Sequence, residues 1–170
     1  MARSDWSSMP SIELYLLRHA HAGDPTKWRG DDFERPLTEK GRDQATRLGR
    51  HLAAVGFSTD ALITSPRARA RETAELVAER IGVPVRLDDR LATALSSSVV
   101  ERVLADAGDP ARPVLVGHDP DFSELLTLLT GAGAITLKKG AMARVDIDRP
   151  LALGTGVLAW LIPPELLPRK

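Results

Sequence analysis

Three short apolar runs, each breaking off into polar residues, constrain this chain more than any other feature. The first is Leu14-Tyr15-Leu16-Leu17, which delivers Arg18, His19 and Ala20 at its end. The second, Ala61-Leu62-Ile63-Thr64, ends in Ser65-Pro66, with Arg69 just beyond. The third, Val114-Leu115-Val116, ends in Gly117-His118-Asp119-Pro120. Apolar runs of this length bounded by turn residues read as buried strands. In open α/β sheets, ligands gather outside the carboxyl ends of such strands. The three ends bring two histidines and two arginines to that place.

Between the runs the period changes. Residues 12–18 form the first strand, and 22–37, rich in Gly, Asp, Pro and Arg, form a loop. Thr38 caps a helix carrying Ala45, Leu48, Leu52 and Val55, which Gly56 ends. Ser65-Pro66 reads as a second helix start, serine as cap and proline in first position, running to about Ile81. A short strand at 84–87, a helix at 97–107 and a helix from Pro120 to Thr130 follow. Residues 141–147 and 156–162 are extended, an antiparallel pair at a sheet edge. The sum is a layered α/β fold with a mixed sheet.

With 170 residues, one domain over 12–170 is expected, preceded by a flexible tail at 1–11. Basic and acidic residues balance at 23 each, so no global basic field argues for nucleic acid. The absence of cysteine excludes disulfides, thiolate metal sites and a cysteine nucleophile. Residues 1–11 lack the apolar core of a signal peptide, and no apolar stretch approaches bilayer length. The expectation is a cytoplasmic protein with no membrane or nucleic-acid partner.

Arginine at a strand end fits an anion, because its planar fork matches phosphate geometry. Histidine beside it fits a nucleophile or proton carrier, although a lone histidine could equally be bonded to backbone in the core. On the helix after Ser65, Arg67, Arg71, Glu75 and Glu79 are spaced by four and form an exposed charged row. Arg69 lies about 200° around from Arg67, on the side of Thr73 and Val77. An inward arginine needs an anionic partner, either a ligand or a core carboxylate. His19 and His21 form a His-x-His pair that, with His118 and Asp119, could be imagined as a zinc set. The plainer expectation leaves His21 and His51 facing solvent.

Four motifs, Arg18-His19-Ala20, Pro36-Leu37-Thr38-x-x-Gly41-x-x-Gln44-Ala45, Ser65-Pro66-x-x-Arg69-Ala70-x-x-Thr73 and Gly117-His118-x-Pro120, resemble the histidine phosphatase superfamily in order and spacing. The short length and the Arg-His-Ala form are most similar to its phosphohistidine phosphatase SixA branch. The resemblance implies a phosphoglycerate mutase-like fold, a three-layer α/β/α sandwich around a mostly parallel mixed sheet. It implies that neutral His19 attacks phosphorus and is phosphorylated, and that water then releases phosphate. Arg18 and Arg69 would clamp the phosphoryl oxygens while His118 donates a further hydrogen bond. The backbone N–H of Asp119 would be an extra donor. Neither metal nor cofactor is required. Phosphate or sulfate would suit the pocket, and the implied partner is a protein bearing phosphohistidine, such as a phosphotransfer domain.

Two departures bear on substrate. Ala20 stands where the superfamily usually has glycine, which excludes a backbone conformation only glycine tolerates. Mutase and many phosphomonoesterase relatives carry a glutamate after the third strand that protonates an alkoxide. The corresponding stretch, Asp88-Asp89-Arg90-Leu91-Ala92-Thr93-Ala94-Leu95, has none. Asp89, or Asp24 in the loop after His19, is the candidate acid, with surface charge the plainer role for Asp88 and Asp89. Loss of a general acid costs about 10²–10⁴-fold with a poor leaving group. A phosphoramidate suffers less, so the pattern points to phosphohistidine over sugar phosphates. A phosphomonoesterase for small metabolites and a non-catalytic phospho-ligand module are the alternatives. The short chain leaves little sequence for a lid, and an open site is expected, narrowed at most by loop 22–37.

Overall fold

The computed structural model describes residues 10–169. In chain order it has β1 (Ser11–Arg18), α1 (Glu39–Ala54), β2 (Ala61–Thr64), α2 (Ala68–Ile81), β3 (Val85–Leu87), α3 (Ser97–Asp106), β4 (Pro113–Gly117), α4 (Asp121–Thr130), β5 (Met142–Asp148) and β6 (Val157–Ile162). The pleat of β1 feeds two cores, because alternate residues point to opposite faces. Leu14 and Leu16 pack with Val103 and Leu104 of α3 and Phe122 and Leu126 of α4. Tyr15 and Leu17 pack with Leu48 and Leu52 of α1 and Ala70, Ala74 and Val77 of α2. Helices therefore cover both faces of the sheet, giving a three-layer α/β/α sandwich.

The strand order is β3-β2-β4-β1-β5-β6. Pairings among β1, β2, β3 and β4 are parallel, and β5 and β6 join antiparallel at one side. β4, though later in sequence, inserts between β1 and β2. Its register sets Arg18 opposite Gly117 and Thr64 opposite Val116. The residues that follow these ends, His19, His118 and Ser65, are thereby set side by side. Among the described residues, no helix is long and apolar enough to cross a membrane.

Local chemistry explains the helix limits. Thr38 Oγ1 accepts from Gly41 N–H at 3.2 Å and caps α1. α2 stops at Gly82, whose φ of +73° is a left-handed conformation that glycine adopts freely. Two expectations are corrected. α2 starts at Ala68 with Arg67 at the cap position and no side-chain capping bond, so Ser65-Pro66 is not its first turn. Ser65 stays in sheet register instead, its N–H donating to Val116 O at 2.9 Å. The expected tail at 1–11 is also too long at its end, since Ser11 already pairs with Asp148. Residues 1–9 lie outside the described residues.

Candidate active site

His19 follows β1 and is almost fully buried, with 6% of its surface exposed. Its Nδ1 lies 2.7 Å from the carbonyl oxygen of Ala20. A carbonyl can only accept, so Nδ1 carries the hydrogen and Nε2 keeps a lone pair. Burial pushes the His19 pKa down to about 2; the Ala20 carbonyl opposes this, and the fields of His118, Arg69 and Arg18 add to it. The ring is neutral at neutral pH, and its unprotonated nitrogen is Nε2.

Thr73 ties this segment to α2. Its Oγ1 accepts from Ala20 N–H at 3.0 Å and donates to Arg69 O at 2.7 Å. The next residue is pinned as well. His21 Nδ1 lies 2.7 Å from Thr38 Oγ1, and His21 N–H donates to Gln44 Oε1 at 3.0 Å. The first turn of α1 presses so closely here that a Cβ at Gly41 would fall 2.0 Å from His21 O. His21 is thus turned onto α1, half-buried, rather than left in solvent. Among the described residues, no group of three or more His, Asp or Glu side chains is arranged to hold a metal ion.

The His118 ring lies 5.3 Å from that of His19, centroid to centroid. Burial, then the charges of Arg69 and Arg67, push its pKa down to about 3. Its Nε2 is 2.7 Å from Ser65 Oγ. Arg18 Nη1 donates to Leu137 O at 2.9 Å and pairs with Asp119 Oδ2 at 3.1 Å. Arg69 is buried, donating from Nη1 to Asp32 O at 2.9 Å and pairing through Nη2 with Asp32 Oδ2 at 3.2 Å. Among the described residues, Arg18 Nε, Arg69 Nε and His118 Nδ1 are buried without a hydrogen-bond partner. The two arginine Nε–H groups are unmet charged donors, each costing about 1–3 kcal/mol or more, and an oxyanion supplies acceptors.

Arg69 meets a carboxylate after all, but from the loop and not from the core. Asp32 also reaches Arg35 Nε at 2.8 Å and Arg67 Nη1 at 3.4 Å. The arginines hold its carboxyl below the usual range. Arg35 is buried and donates to Ala22 O at 2.6 Å. The sequence reading missed both residues because loop 22–37 has no periodicity; only their i,i+3 spacing hinted at a pair. Lys139 was missed too. Burial and the charges of Arg18, Arg35 and Arg69 depress its pKa, and adjacent Gly140 N–H donates to both Arg18 O and His19 O.

The carboxylates are distributed as follows. Asp119 pairs with Arg18 and accepts from Ser123 N and Oγ at 3.1 and 2.7 Å, a side-chain role that the sequence did not suggest. Asp24 is exposed and accepts from the hydroxyl and N–H of Thr26, which lower its pKa and favour the anion. Asp88 is held by Arg90 at 2.6 Å, again as the anion. Asp89 is exposed in a short turn. Asp121 differs: burial, with a smaller contribution from Asp119, raises its pKa.

Comparison with known proteins follows the same lines. The model of the histidine phosphatase superfamily (branch 1) matches residues 14–94. An uncharacterized protein of Picosynechococcus sp. is 34% identical over 89% of this chain and 100% of its own length. The 8-oxo-(d)GTP phosphatase of Mycolicibacterium smegmatis is 33% identical over 60% of this chain, which spans 32% of that protein. The structure of the protein histidine phosphatase SixA complexed with tungstate superposes with a TM-score of 0.77, covering 90% of this chain and 97% of that one at 23% identity.

Proposed function

The chain belongs to the histidine phosphatase superfamily, and from that membership we propose that it is a metal-independent phosphatase acting through a phosphohistidine on His19, with phosphohistidine in a protein as substrate. The observation that carries the reading is the His19 ring, neutral, with Nδ1–H bound to Ala20 O and Nε2 left as the nucleophile. Nε2 attacks phosphorus, the bond from phosphorus to the leaving nitrogen breaks, and that nitrogen takes a proton from solvent. The phosphorylated ring is positively charged, and the Ala20 carbonyl stabilises it. Water then attacks phosphorus, the electron pair of the N–P bond returns to Nε2, and the surplus proton leaves with phosphate or solvent. Arg18 and Arg69 balance charge on the equatorial oxygens, and neutral His118 donates a hydrogen bond to them.

The leaving group follows from the carboxylates. Asp24 and Asp88 are stabilised as anions, which makes each a poor proton donor. A phosphoramidate depends on such a donor less than an alkyl phosphate does. A second reading, a phosphomonoesterase for small metabolites, is favoured by one observation: at Asp121, three residues beyond His118, burial raises the carboxyl pKa against the opposing Leu95 backbone hydrogen bond, the direction an acid requires.

One experiment separates them. Phosphate release is followed from a phosphohistidine protein and from an alkyl phosphate, with and without chelator, for the wild type, His19→Ala and Asp121→Asn. Faster, chelator-insensitive release from phosphohistidine is expected, abolished in His19→Ala and unaffected in Asp121→Asn. Turnover surviving in folded His19→Ala would remove the mechanism. Preference for the alkyl phosphate, lost in Asp121→Asn, would establish the second reading.

A further inference from the structure

Ser65 begins no helix, yet its side chain is fully buried and engaged. Its Oγ has two partners: Arg67 N–H, which donates to it at 3.3 Å, and His118 Nε2 at 2.7 Å. The register of β2 against β4 puts it there, since Ser65 N–H bonds to Val116 O, two residues before His118. A hydroxyl has one hydrogen to give. We propose that Ser65 is a positioning residue which donates that hydrogen to His118 Nε2, fixing His118 as the Nδ1–H tautomer so that the ring offers the phosphoryl group a donor.

The reverse assignment is poorer on two counts. If Nε2–H donated to Oγ, the serine hydrogen would be buried without an acceptor, because among the described residues Oγ has no third hydrogen-bond partner. Nδ1 would then hold a lone pair, which repels an anion. In the proposed assignment the serine hydrogen is satisfied, and Nδ1–H, buried and unpartnered among the described residues, is the donor left for an anion. The depressed pKa of His118 makes this matter, since a neutral imidazole has only one N–H to place. The anion's identity rests on the phosphatase reading above; the tautomer belongs to the free protein.

The test reads both. In ¹⁵N-labelled wild type, ring nitrogen shifts are expected to show His118 protonated at Nδ1 with Nε2 as acceptor. In Ser65→Ala the ring is expected to move toward the Nε2–H form, and kcat/KM to fall about tenfold, the worth of one hydrogen bond. Ser65→Cys keeps the side-chain shape, though with a larger atom, and is a weak donor, so it should behave like Ser65→Ala and covers the case in which alanine misfolds. An Nε2–H ring in wild type, or a tautomer unchanged in Ser65→Cys, would overturn the proposal. Absence of phosphate release from wild type would instead overturn the phosphatase reading, because the tautomer is measured without turnover.

Discussion

Asp32 sets the charge that an incoming phosphoryl group meets. One carboxylate, half exposed, is shared among Arg35, Arg67 and Arg69, and it lies 3.2 Å from a guanidinium nitrogen expected to hold phosphate. An anion there competes with substrate for the same cation while also holding the loop in place. Asp32→Asn keeps the backbone carbonyl contact to Arg69 and removes the charge. Its inhibition constant for inorganic phosphate is expected to drop about threefold to tenfold at low salt, from Coulomb energies at this separation. The difference should shrink as salt is raised. Weaker phosphate binding in this variant would mean that the carboxylate positions Arg69 more than it opposes the ligand. His19, Arg18, Arg69 and His118 were legible as candidates in sequence because each follows an apolar run or sits on a definable helix face. Asp32, Arg35 and Lys139 were not, because their positions depend on where a non-periodic loop lands.

The elements meet at Thr73. Its hydroxyl joins the segment after His19 to α2, on the turn that carries Arg69. Thr73→Val keeps the shape, deletes both bonds and leaves the buried N–H of Ala20 unmet. A loss of about 1–3 kcal/mol is expected in urea unfolding, together with a fall in kcat/KM as the Ala20 carbonyl loosens against His19. Unchanged stability would mean that the Ala20 N–H finds another acceptor. Most element boundaries were readable, since caps, glycine stops and apolar periods act locally. The start of α2 was misread because Ser-Pro is a strong local cap signal. Here the ladder bond to Val116 and the contact with His118 overrule it.

For the whole molecule, the two buried histidines link stability to pH. Their folded pKa values, about 2 for His19 and about 3 for His118, lie below the ordinary 6.5. Between those values the unfolded chain binds protons that the folded chain refuses, so acid favours unfolding. Their contribution is fully present above pH 6.5 and is lost progressively as pH falls toward 3 and then 2. The depressed carboxyls of Asp32 and Asp88 add the same sign below about pH 4, their ordinary value being 3.8. Tm is therefore expected to decline from about pH 6.5 downward, and a His19→Gln, His118→Gln variant to decline less over pH 4–6. A wild-type Tm flat to pH 4 would show that the pair is not held neutral. The sequence by itself determined the layered α/β class, the strand ends and the residue types placed on them. Hydrophobic periodicity and turn chemistry are local and survive in one dimension. Only the tertiary structure decided that β4 lies between β1 and β2, which sets Ser65, His19 and His118 in one row. Only it decided which atoms of that row are donors, because burial and hydrogen-bond partners arise between segments distant in sequence.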